Sequence, residues 1–238
     1  MKLTLVNARN RYATPSVGLT FNSNQDTSHN KLQIKQFETT LELDTHHQHL
    51  LRSDIDEEVV LGIYSVTHWH LNRSPDLHQS VVDVLARIDP RKCASLLRSA
   101  ITDLDHGCSE NALLLLANRL FGGRMTLASA MLAFADTENA ALFDDKSAAL
   151  LQTMTANEIS GTVNVEHLVR QAGETLNHAC ARYATYCKAL QYIKYRFNRT
   201  CYGWSDGTGS QMTRFRAVDV ARALEVLVEE GAELRVIA

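Results

Sequence analysis

The sequence predicts an all-α protein with a short irregular or β-containing segment at its N-terminus. Three observations carry this. Helix breakers are scarce, with 3 prolines and 11 glycines among 238 residues. Apolar residues recur at helical spacing through most of the chain after residue 30. Helix-start signals fall where the periodic runs begin: an acid-rich first turn in "DIDEEVV", Ser74 before Pro75, and Asp89 before Pro90.

Taken in order, residues 1–30 are polar, with "RNRYATPSVGLTFNSNQDTSHN" expected to be a strand or hairpin with loops. The segment "KLQIKQFETTLELDTHHQHLL" carries Leu32, Ile34, Phe37, Leu41 and Leu43 mostly at helical spacing, so the helical domain is set at 31–238. "DIDEEVVLGIYSVTHWHL", "SPDLHQSVVDVLARI" and "DPRKCASLLRSAI" follow as helices. "SENALLLLANRLFG" is apolar and stops at Gly122, and "MTLASAMLAFA" resumes after a very short hairpin. "DKSAALLQTM" is next, then a long helical run with breaks from Val165 to Phe197, a Gly-rich loop "TCYGWSDGTGSQM", and an amphipathic closing helix "TRFRAVDVARALEVLVEEG". There is no fixed repeat and no interdomain linker.

Composition excludes several classes. With 45% hydrophobic and 21% charged residues, the chain is ordinary for a soluble globular protein. No run approaches the ~18 apolar residues of a membrane span, and "MKLTLVNARN" does not read as a signal peptide. The 5 cysteines lack CxxC spacing and are expected to be reduced thiols, which points to the cytoplasm. His46, His47 and His49 cluster, and His68 and His70 flank Trp69, but positions i and i+2 do not share a helix face and no HExxH occurs. No metal and no required cofactor are expected. GxxxxGK[ST] and GxGxxG are both missing, so nucleotide-hydrolase and Rossmann readings lack their usual support.

The net charge of -3 argues at first against a nucleic-acid partner. Its distribution argues the other way. Glu38 to Glu58 holds seven acids and one base, Arg52, whereas Gly161 to Arg222 holds nine bases and four acids. The basic part could follow a phosphate backbone, or these charges could be solvated helix faces.

The junction "LFDDKS" sets two adjacent aspartates, Asp144 and Asp145, at the start of a helix. An aspartate there serves as an N-cap. It could equally be a catalytic carboxylate, and the two roles are compatible. The whole segment "LLLLANRLFGGRMTLASAMLAFADTENAALFDDKSAALL" reads as helix, Gly-Gly hairpin, helix, loop, Asp-Asp, helix. This resembles the helix–hairpin–helix DNA glycosylase superfamily over about 112–152, and more weakly over 178–227, through "ARYATYCKALQYIKYRF" and "FRAVDVARALEVL". The first hundred residues carry no resemblance.

The resemblance implies a helical glycosylase-like fold, double-stranded DNA as partner, and a hairpin that grips phosphate, often with a bound monovalent cation. Gly122, Gly123, Arg124 and Thr126 hold the hairpin positions here, although "GGR" departs from the family's usual G-V-G. "L-F-D-D-K" stands where the family has its catalytic aspartate, which makes Asp144 the catalytic residue, or Asp145 if the register shifts by one. A carboxylate there stabilises the positive charge that builds on deoxyribose as an N-glycosidic bond breaks. Bifunctional members carry a lysine at the start of the helix after the hairpin, where this chain has Thr126. Lys146 lies on a different helix. A monofunctional enzyme with no lyase step is therefore expected, leaving an abasic site.

Reading an extruded base calls for aromatics and amides, for which Asn22, Tyr64, Trp69 and Asn118 are the candidates. The unmatched N-terminal part suggests an unusual base, such as a hypermodified phage base, and hence an antiphage role. A second reading keeps the hairpin but not the chemistry: a catalytically silent DNA-binding or assembly subunit. A third is a helical adaptor with no nucleic-acid role. No protein partner is inferable.

Overall fold

A computed structural model describes residues 5–13, 16–22, 31–73, 89–158, 165–200, 203–205 and 213–231. Among them are nine helices and one two-stranded sheet. In chain order they are α1 (Leu5–Arg11), β1 (Val17–Asn22), β2 (Lys31–Gln36), α2 (Thr40–Leu51), α3 (Asp56–Arg73), α4 (Pro90–Asp105), α5 (Ser109–Arg119), α6 (Met125–Ala135), α7 (Asp145–Glu158), α8 (Leu176–Thr200) and α9 (Ala217–Glu229). The mostly helical architecture and the β content near the N-terminus match the sequence-based expectation.

Three local readings need correction. Residues 31–36 form a strand, not the start of a helix, antiparallel to β1 with Leu19 opposite Ile34 and Phe21 opposite Leu32. Leu32 and Ile34 are two apart, which is strand spacing, whereas Ile34, Phe37 and Leu41 fit a helix, and pairing with β1 decides between them. Within the segment read as irregular, Leu5–Arg11 is a helix that buries Leu5, Ala8 and Arg9. The long run begun at Val165 becomes helical only at Leu176, where Thr175 Oγ1 accepts the His178 amide at 3.3 Å. The expected helix opened by Ser74 and Pro75 lies outside the described residues.

The other helix starts follow their local chemistry. Asp89 accepts the Arg91 amide at 2.9 Å ahead of Pro90, and Thr39 accepts the Glu42 amide at 3.1 Å. The central helix is α6, whose residues Leu127 to Ala135 are all buried. A helix apolar on every side belongs in the middle of a core, and α6 packs against α2, α3, α4 and α5. Phe134 on α6 meets Trp69 of α3 edge-on at 4.8 Å and His47 of α2 at 4.4 Å.

A buried ionic network joins α1, α2 and α9. Asp44 accepts Arg222 at 2.5 Å and Arg216 at 2.7 Å, while Asp219 accepts Arg9 at 2.9 Å and Arg216 at 2.8 Å. The Arg9 guanidinium also lies 3.6 Å from the Trp204 ring centre. Burial alone would raise the Asp219 carboxyl, yet Arg216, Arg9 and Arg222 bring it down to about 2. No helix among the described residues is long and apolar enough to cross a membrane.

Candidate functional site

The hairpin forms where α5 runs out on two glycines. Gly123 N–H donates to Ala117 O at 2.7 Å and Phe121 N–H to Leu116 O at 3.0 Å, so the turn caps the last carbonyls of α5. Gly122 and Gly123 have φ of 58° and 85°, the left-handed region that glycine enters without penalty. A Cβ on Gly123 would meet nothing within 4 Å, so backbone conformation rather than space calls for glycine there. Arg124 stands at the N-cap of α6 without a side-chain cap bond. Its Nη1 instead reaches back to Phe121 O at 3.3 Å. Among the described residues no side chain accepts the opening amides of α6, and amides at a helix start can receive an anion.

The aspartate junction is tied to that same helix start. Phe143 N–H donates to Ser129 Oγ at 3.0 Å, and Ser129 Oγ donates to Thr126 O at 2.9 Å. One hydroxyl thus fixes the residue before Asp144 to the first turn of α6. Asp144 then caps α7: Oδ2 accepts the Ser147 amide at 2.7 Å. Among the described residues nothing donates to its other oxygen. The side chain is half-buried.

Asp145 is exposed and pairs with Arg182 at 2.6 Å. The buried Arg182 also forks onto Glu174, through Nε and Nη2 at 2.9 Å each, donates to Leu168 O at 3.0 Å, and lies 4.8 Å from the Phe143 ring centre. Burial alone would lower the Arg182 pKa; Glu174 and Asp145 outweigh it and raise it. Tyr186 packs edge-on against Phe143, and its buried hydroxyl has no hydrogen-bond partner among the described residues. Burial pushes that phenol well above its ordinary range, with Cys187 and the Asp144 charge adding.

These elements surround a cavity of about 500 Å³, lined by Gly123, Thr126, Asp144, Asp145, Arg170 and Arg182 among others. The starts of α6, α7 and α8 all border it, through Met125, Asp145 and Leu176. Its lining is charge-mixed rather than basic: Arg170 and Arg182 face Asp144, Asp145 and Glu174. Asp144 also lines a second, smaller cavity of about 20 Å³ with Tyr12, Trp69, Arg73, Arg222 and Glu225. That volume matches a single water.

The structure therefore brings together Gly123, Thr126, Asp144 and Asp145 at one cavity, and Trp69 with Asp144 at another. Gly122 is exposed at the turn beside them. Tyr64 is exposed and lines a separate apolar groove of about 400 Å³ with Phe21 and Leu32. Asn118 is exposed on α5 and lines neither Asp144 cavity. Asn22 ends β1, in register with Lys31. Among the described residues no group of three or more His, Cys, Asp or Glu side chains is arranged to hold a metal.

Arg170, Glu174 and Arg182 were not legible as site residues, because Arg182 reaches Asp145 across 37 positions of sequence. The charge segregation along the chain also reads differently in three dimensions. Of the nine bases in 161–222, Arg182, Lys194, Arg216 and Arg222 are engaged in ion pairs with Glu174, Asp145, Glu138, Asp44 and Asp219. Their positive charge serves internal pairing rather than a continuous basic face.

No protein-family model, curated protein or solved structure matches the chain.

Proposed function

We propose that the chain is a monofunctional DNA glycosylase of the helix–hairpin–helix kind, acting in the cytoplasm on a damaged or modified base of double-stranded DNA. The observation that carries this reading is that Asp144 and the hairpin residues Gly123 and Thr126 line one cavity, with Ser129 bridging the two parts. A phosphate on the opening amides of α6 brings the attached deoxyribose toward Asp144. As the C1′–N bond breaks, its electron pair leaves with the base, and Asp144 stabilises the cationic sugar. Water adds to C1′, giving up a proton as the base gains one, and an abasic site remains. Thr126 cannot form an imine, so no strand-cleaving lyase step follows.

A monovalent cation between the hairpin and the phosphate belongs to this reading. The substrate we favour is a hypermodified phage base, which gives the enzyme a defence role.

The mixed charge of the cavity lining favours one rival: a silent DNA-binding or assembly subunit. Base release from DNA separates the two, because binding without release in every substrate supports the rival. Loss of DNA binding at all salt concentrations excludes both.

A further inference from the structure

The small, partly open cavity beside Asp144 is lined in part by a pair of side chains that the glycosidic chemistry does not use. Arg73, at the end of α3, forms an ion pair with Glu225 of α9. Its guanidinium lies 4.8 Å from the ring centre of Trp69, one turn earlier on the same helix. The pair forms the rim: the side chains of Arg73 and Glu225 are 11% and 24% exposed, whereas Trp69 is 3% exposed. Beneath it the walls are small and apolar, with Ala130, Ala133, Val218 and Ala221. Among the described residues, the buried Trp69 Nε1 has no hydrogen-bond partner, a group that native cores seldom leave unmet.

Asp144 lines both cavities. If the sugar sits at Asp144 and its phosphate at the hairpin, the smaller cavity is where a base attached to that sugar can go. At about 20 Å³ it does not admit a base as it stands. A guanidinium is planar, and it stacks on an indole much as a nucleobase does. Displacing Arg73 therefore opens the face of Trp69 to a flat ring. It also frees the Glu225 carboxylate, which can only accept hydrogen bonds, and leaves the Trp69 N–H, which can only donate.

We infer that the Arg73–Glu225 pair is a displaceable plug. A nucleobase with an exocyclic amine takes the place of the guanidinium, stacking on Trp69 beside Asp144 with its amine toward Glu225. This inference rests on the glycosylase reading and names the class of base that the site takes.

The test uses the full chain in a Trp204→Phe background, which leaves Trp69 as the sole tryptophan, since the sequence has 2. Free adenine, cytosine, guanine, thymine and uracil are titrated while Trp69 fluorescence is followed. Arg73→Ala is expected to bind at least one amine-bearing base about tenfold more tightly than the parent, and Glu225→Gln to erase the preference for adenine, cytosine and guanine over thymine and uracil. If Arg73→Ala fails to fold, Arg73→Lys, whose ammonium is not planar, is expected to show the same direction of change. Unchanged Trp69 fluorescence with every base in a folded Arg73 variant overturns the plug. Base release from DNA alongside unchanged Trp69 fluorescence overturns the plug but not the glycosylase. Free-base binding with no release from any DNA overturns the glycosylase.

Discussion

Arg182 holds Asp145 at 2.6 Å, whereas among the described residues the neighbouring Asp144 accepts only the Ser147 amide, at 2.7 Å. Two adjacent carboxylates are thereby given different work. Asp145 shares the buried Arg182 guanidinium with Glu174, and Asp144 keeps one oxygen for the cavity. Asp144→Asn is expected to lower single-turnover base release by about 10²–10³-fold, and Asp145→Asn to leave it near the parent rate. Folding reads the same pair differently. Asparagine caps a helix as well as aspartate does, so Asp144→Asn is close to neutral in urea denaturation, while Asp144→Ala costs about 1 kcal/mol. A large stability loss in Asp144→Asn would show that the carboxylate serves packing and not chemistry.

Ser129 is the joint between hairpin and carboxylate. Removing its hydroxyl orphans the buried Phe143 amide, at a cost of about 1–3 kcal/mol. Ser129→Ala is therefore expected to lower stability and to slow base release by more than its unfolded fraction explains. A rate that follows the folded fraction alone would limit Ser129 to a structural role.

Acid sensitivity should come from two buried histidines. Burial holds His70 at about 4, with Arg73 lowering it further, and holds His47 at about 3, with His46 next among the causes. Both fall below the ordinary value of 6.5, so the unfolded chain binds protons that the folded chain refuses. Stability is full above 6.5 and is lost as pH falls toward those folded values. Each histidine contributes up to about 1.4 kcal/mol per pH unit within its window. Denaturation midpoints measured between about pH 7 and pH 5 should fall on acidification, and His70→Leu should flatten the slope.

Asp44 anchors Arg216 and Arg222 from a position that is 1% exposed. Asp44→Ala leaves buried guanidinium charge uncompensated and is expected to cost about 3–5 kcal/mol in chemical denaturation. A loss below 1 kcal/mol, the level of an exposed pair, would mean that water reaches the network.

Local signals were legible in the sequence and distant ones were not. Asp89 with Pro90, the Gly122–Gly123 stop and the Asp144 cap each act within four residues, and each stands where the pattern set it. Residues 31–36 were misread because Leu32 and Ile34 suit a strand only once β1 lies alongside. Arg182, Glu174 and the Arg73–Glu225 pair depend on which helices meet, and spacing along the chain carries no record of that. The acid-rich and base-rich segments were visible, but their pairing through Asp44 with Arg216 and Arg222 appears only on folding.

The central claim is tested most directly by abasic-site formation on a DNA panel. The panel holds duplexes with damaged bases and genomic DNA from phages with substituted cytosines or thymines. Wild type is run beside Asp144→Asn, with and without alkali. The account predicts cleavage only after alkali and only with wild type, on at least one DNA, whose released base then names the substrate. Intact DNA throughout, with binding retained, would contradict the glycosylase and leave a silent DNA-binding subunit. Cleavage without alkali would contradict the absence of a lyase step.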